Sequence, residues 1–247
     1  MQIHVLTGDA LAELFSLSGI EGNTIISREC LIEGPVLGDG KDLSAFWQMR
    51  ADYLTTDAPE EKEFYFEKVA KEFEKLLDLP AGSEINLWFE FDLFCQANMW
   101  FVLNLLKQFG KQQNIYRINP IIKEISKLWR GFGDLSVADL PICLAQKIPF
   151  SEKDIALGVQ LWQAYSRQDA EALQALSQTN SPCFPYLREV CEAAIAKQEG
   201  AVEILVQNII QAGASNFKDV FLRFSKENGI YGLGDLQVKN IYEQLVA

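Results

Sequence analysis

The sequence predicts an α/β fold: a mostly parallel, Rossmann-like three-layer sheet domain over residues 1–130, then an all-α domain over residues 131–247 that closes on a segment echoing a winged helix. Three observations predict it. Short β-branched stretches alternate with helical patterns through the first half, the signature of a parallel sheet with right-handed crossovers. Around Gly131-Phe132-Gly133-Asp134 the texture changes, and helical patterns dominate from there on. Between strand and helix patterns, the run Leu87 to Gln96 (LWFEFDLFCQ) places two carboxylates in an otherwise hydrophobic stretch.

Gln2 to Leu6 alternates as a strand. Thr7-Gly8-Asp9 breaks it, with Gly8 free to turn and Asp9 able to cap a short helix over Ala10–Leu17. Thr24–Ser27 is the second strand, with Arg28-Glu29 at its end. The loop from Cys30 through Glu33-Gly34-Pro35 to Gly40 is long enough to shape a pocket. Leu43–Tyr53 is helical. Glu60–Leu79 reads as one amphipathic helix with Phe66, Val69, Phe73, Leu76 and Leu77 inward. Ser83–Phe89 is a buried strand after the breaker Pro80-Ala81-Gly82. Leu93–Phe109 is apolar on nearly every face, as in a helix buried on most sides, and Asn114–Ile118 is a fourth strand. Beyond it, helices are expected over 134–146, 151–167, 169–178, 184–197, 201–212 and 216–226. Ser151 and Asp154 form a capping signal. The glycine-rich stretch Asn228–Asp235 suggests a small hairpin before a last helix.

Composition excludes several functions. The net charge is −12, which argues against phosphate-backbone binding and against anionic membranes. Residues 201–247 hold four basic and five acidic residues, so the winged-helix echo carries no DNA-binding charge. No apolar run approaches the ~20 residues of a membrane span. MQIHVLTGD reads as a strand rather than a signal peptide. The five cysteines form no Cys-x-x-Cys pair, so they read as reduced thiols of a cytoplasmic protein, and Cys95 reads as a small core residue. The single histidine, His4, is mid-strand and structural, which removes histidine-based triads and zinc sites.

What remains is carboxylate chemistry. Asp92 is placed to cap the buried helix, Gln96 lies one turn further on the same face, and Glu90 precedes both. In open α/β sheets ligands bind where strands end. Gly8, Asp9, Arg28, Glu29, Glu33, Glu90, Asp92 and Gln96 are therefore expected around one cleft, with Asp9, Glu33 and Asp92 as candidate metal ligands and Arg28 available to an anionic group. Hard oxygen donors favour Mg²⁺ or Mn²⁺ over Zn²⁺, and the natural partner is a phosphate-containing small molecule. The alternative is a non-catalytic regulatory or protein-interaction module, whose helical half docks a protein partner.

Four stretches carry a resemblance: IHVLTGDALAE, ISRECLIEGPV with its Arg-Glu and Glu-Gly-Pro, LWFEFDLFCQ, and the C-terminal GLGD together with GDLSVADLPICLAQKIPFSEKD. In these the chain resembles a bacterial domain-of-unknown-function family, numbered eighteen thirty-five, over almost its whole length. The resemblance implies a shape and candidate positions (Gly8, Asp9, Arg28, Glu29, Glu33, Gly34, Pro35, Glu90, Asp92 and Gln96) rather than a reaction. Many relatives carry His after LWFE, where this sequence has Phe91.

Overall fold

The computed structural model describes residues 1–36, 42–56, 58–109 and 113–246. Five strands form one sheet in the order β2-β1-β3-β4-β5: β1 Gln2–Thr7, β2 Asn23–Ser27, β3 Glu84–Trp88, β4 Asn114–Ile118 and β5 Ile148–Pro149. The first four run parallel, with Val5 level with Ile25 and Leu87, and Leu87 level with Arg117. Short β5 lies antiparallel to β4. It was not expected, because two residues ending in proline carry no strand periodicity.

The pleat sends alternate residues to opposite faces, and each face builds its own core. Ile3, Val5, Ile85, Leu87 and Ile115 join the larger one. Leu6, Trp88 and Ile118 face the smaller one, with Leu11 and Phe15 of α1 (Gly8–Ser16) and with Leu140 and Cys143 of α6 (Leu140–Ala145). His4 is fully buried on that second face. Its Nδ1 accepts from Trp88 Nε1 at 3.0 Å and its Nε2 lies 3.1 Å from the Glu21 carbonyl. That geometry suits the neutral tautomer protonated on Nε2, and burial lowers the ring's pKa. The structural assignment of His4 stands.

On the larger face, α5 (Leu93–Phe109) is the hub. Phe101 stacks on Phe46 of α2 (Leu43–Leu54) at 5.0 Å and meets Trp162 of α7 (Glu152–Ser166) at 4.9 Å. The helices after residue 130 thus share a core with the sheet. α7 opens on the expected box: Asp154 N donates to Ser151 Oγ, and Ser151 N donates back to Asp154. Four further helices follow: α8 Ala170–Leu176, α9 Leu187–Gln198, α10 Ala201–Gln211 and α11 Phe217–Glu227. The last, α12, spans Asp235–Val246.

Three expectations need correction. Residues 60–79 are not one regular helix. A 3₁₀ turn at Pro59–Glu61 leads to α3 (Lys62–Tyr65), a π turn at Phe66–Ala70 and α4 (Lys71–Glu74). Val69, Phe73 and Leu76 are buried as expected, but Tyr65 takes the inner place expected of Phe66, and Phe66 and Leu77 are only half-buried. Residues 125–139 wind as 3₁₀ segments ahead of α6, because Gly131 takes φ 52°, ψ −129°, a conformation closed to helices. The stretch 228–235 is no hairpin: Gly229–Tyr231 is a 3₁₀ turn and Gly232 is left-handed at φ 66°. The pocket-shaping residues Leu37 to Gly40 lie outside the described residues.

Candidate functional site: a cleft floored by Glu90 and Asp92

Because β1 to β4 are parallel, their C-terminal ends share one edge, and the segment between β3 and α5 emerges there. Asp92 caps α5 as expected: its Oδ1 accepts from Cys95 N at 3.0 Å, and its carbonyl takes the first helical bond from Gln96 N. Gln96 Nε2 and Arg117 Nη2 both donate to the Glu90 carbonyl, at 2.6 and 3.3 Å. Glu90 is thereby held by its backbone, and its Oε2 lies 3.2 Å from Cys95 Sγ. Thr7 Oγ1, from the end of β1, reaches the same sulfur at 3.5 Å. Phe91 turns away, against Tyr186 at 5.2 Å and under the Arg117 guanidinium at 5.9 Å.

Two glycines close over the acids. A Cβ on Gly131 would lie 1.8 Å from Glu90 Cγ, and one on Gly232 would lie 2.0 Å from Asp92 Oδ1. Both have positive φ, so no other residue fits at either place. Beside these acids opens a cleft of about 570 Å³, within the roughly 300–1,000 Å³ common for small-molecule sites. Glu90, Asp92 and Cys95 form the floor, Trp129, Phe224 and Leu233 wall it, and Lys127, Arg130 and Lys226 stand around it. Lys127 is engaged by Glu124 at 2.9 Å and Asp134 at 3.5 Å. Among the described residues, Arg130 and Lys226 are exposed and form no ion pair.

The floor is densely surrounded by protein. Burial, and then the charge of Asp92, push Glu90 up to about 8. Burial pushes Asp92 up to about 6, opposed by its bonds to the helix terminus. Near neutral pH Glu90 therefore carries a proton and Asp92 is mostly ionised, a donor beside an acceptor. Burial and both carboxylates push the Cys95 thiol well above its ordinary value. It is no ready nucleophile, in keeping with its reading as a small buried residue.

Of the expected cleft residues, the structure brings Glu90 and Asp92 to the floor and Gln96 to its support. The others are elsewhere. Asp9 does not cap α1; it is in the first turn, exposed, and takes Arg28 through three bonds of 2.8 to 3.0 Å. Arg28 also donates to the Lys68 carbonyl. Gly8 makes the turn between β1 and α1 at φ 72°. Glu29 is a correction: it is fully buried away from the cleft, where it takes Arg50 Nε and Nη2 at 2.9 Å each and Tyr65 Oη at 2.6 Å. A buried guanidinium demands such a partner. Glu33 is half-buried and lies 3.7 Å from Cys30 Sγ. Asp9, Glu33 and Asp92 are thus not assembled into a ligand set, and among the described residues no three His, Cys, Asp or Glu side chains are grouped to hold a metal ion.

Sequence reasoning missed Trp129, Arg130, Lys226 and both closing glycines. Their only signal was the pair of glycine-rich breaks, at Gly131-Phe132-Gly133 and at Gly229 to Gly234, which marked loops without showing that they meet. Compared with known proteins, the chain matches no family model, no curated protein and no solved structure.

Proposed function

We propose that this chain binds a small phosphate-bearing molecule in the Glu90–Asp92 cleft, with the anionic group at Arg130, Lys226 and Lys127 and the polar remainder on the floor. The observation that carries the reading is the pairing of two uncommitted cations around the cleft with a donor–acceptor pair of carboxyls, half-buried Glu90 and buried Asp92, inside it. In a protein of net charge −12, cations spared from carboxylate pairing are available to an incoming anion. The floor also suits proton transfer, because one carboxyl gives a proton at neutral pH while its neighbour accepts one. Mg²⁺ or Mn²⁺ would enter on the ligand's phosphate, as such ions commonly do, rather than in a preformed cage.

Calorimetric titration with ribose 5-phosphate and with mononucleotides, with and without Mg²⁺, tests the reading. Binding should weaken at least about tenfold in the Arg130→Ala, Lys226→Ala double variant, since charge-assisted bonds are worth about 1.5–3 kcal/mol each. Absence of binding by every phosphate ester tried, or equal binding by the double variant, would defeat it.

A further inference from the structure

Arg117 lies behind the floor with 0% exposure. It forms no ion pair among the described residues. Its Nη2 donates to the Glu90 carbonyl, its Nη1 meets Met99 Sδ at 3.1 Å, and its Nε has no partner. Burial lowers its pKa only to about 10, so it stays charged. This fixed positive charge offsets the ionised Asp92, and the floor as a unit is close to neutral. A ligand ammonium would gain little there and would lose its hydration. A neutral group presenting one N–H beside one lone pair suits the floor better, since Asp92 accepts and protonated Glu90 donates. The wall supplies a flat aromatic surface: Trp129 lines the cleft, its indole braced by Tyr186 at 5.8 Å and its Cβ backed by Gly229. The cations lie toward solvent.

We infer that the ligand is a nucleoside monophosphate bound base-first, with the base on Trp129, its hydrogen-bonding edge on Glu90 and Asp92, and its phosphate on Arg130 and Lys226. Every standard base offers a donor beside an acceptor on one edge, and ring stacking on an aromatic side chain adds affinity without selecting the base. The inference rests on the phosphate-binding reading and narrows it to one ligand class.

The experiment compares AMP and CMP with ribose 5-phosphate by calorimetry at pH 7 and pH 9, in the wild type and in Glu90→Gln. The groups next to Glu90 are Asp92 at the cap of α5, Cys95 of α5 and Arg117 of β4, and Lys127 and Arg130 of the 3₁₀ segment and Lys226 of α11 line the same cleft. Asp92 is ionised at both pH values and Cys95 stays protonated, so Glu90 is the acid whose charge changes across the interval. At least one nucleotide should bind some hundredfold more tightly than ribose 5-phosphate at pH 7. That advantage should shrink about tenfold at pH 9, where Glu90 no longer donates. Glu90→Gln keeps a donor, so it should bind the nucleotide at pH 7 and lose the pH dependence. Nucleotides binding no better than ribose 5-phosphate would overturn the inference and leave the phosphate reading standing. A pH dependence retained in Glu90→Gln would also overturn it. If none of the three esters binds, both readings fall.

Discussion

Protonated Glu90 leaves a mark on stability as well as on binding. Its folded-state affinity for a proton is raised by burial and by Asp92, so folding is penalised wherever the carboxylate must be charged. That penalty is complete above about pH 8 and is relieved as pH falls from there toward the ordinary glutamate range. A tenfold change in proton affinity corresponds to about 1.4 kcal/mol, so the penalty totals on the order of a few kcal/mol. Urea unfolding of the wild type should show stability rising from pH 9 to pH 6, and Glu90→Gln should flatten much of that slope. Parallel profiles for the two proteins would show that Glu90 is an ordinary ionised carboxylate in the folded chain. Legibility at this scale was uneven. The cap at Asp92 was readable because capping is local, set by residues a few positions apart. The fate of Glu29 was not, because nothing near it in sequence announces that Arg50 is buried opposite.

At the scale of elements, that pair joins α2 to the segment after β2. All the Arg50 nitrogens are engaged, with Nε and Nη2 on Glu29 and the remaining bonds on the carbonyls of Cys30, Glu33 and Pro35. One side chain thus fixes the path of the turn from Glu29 to Pro35. Arg50→Met should destabilise by about 3–5 kcal/mol, because it strands a buried carboxylate. Adding Glu29→Gln should recover part of that loss despite removing a second native group. Simple additivity of the two changes in a double-mutant cycle would show that the groups act independently. The elements read best from sequence were those with a strong single period. α5 and β4 match their expected limits of Leu93–Phe109 and Asn114–Ile118. Those read worst were short or irregular: the π turn, the 3₁₀ run and β5 owe their form to packing partners rather than to their own pattern.

At the scale of the molecule, α5 joins the helices on both sides of residue 130. Through Phe101 it contacts Phe46, Trp47, Phe73 and Trp162 at ring separations of 4.9 to 5.7 Å. A core shared between the sheet and the later helices should melt as one unit. Calorimetry is expected to give a single transition that Phe101→Ala lowers without splitting, at a cost of about 3–5 kcal/mol. Two resolved transitions would mean that the helices after residue 130 unfold separately. The alternation of strands and helices announced the sheet, but it could not announce this sharing, which depends on where the later helices dock.

The closure of Gly131 over Glu90 and of Gly232 over Asp92 has a consequence in time. As the chain leaves the ribosome, the strands and α5 are complete while Gly232 has yet to be made. Until the later segment docks, the acids lack the cover of Phe224, Gly232 and Leu233, so the burial that contributes most to their raised proton affinity is incomplete. The donor–acceptor pair is therefore not yet set in the nascent sheet. It comes into being when the last contacts of the fold expel solvent from the floor, so the acid–base character of the cleft is a late product of folding rather than a property of the residues that carry it.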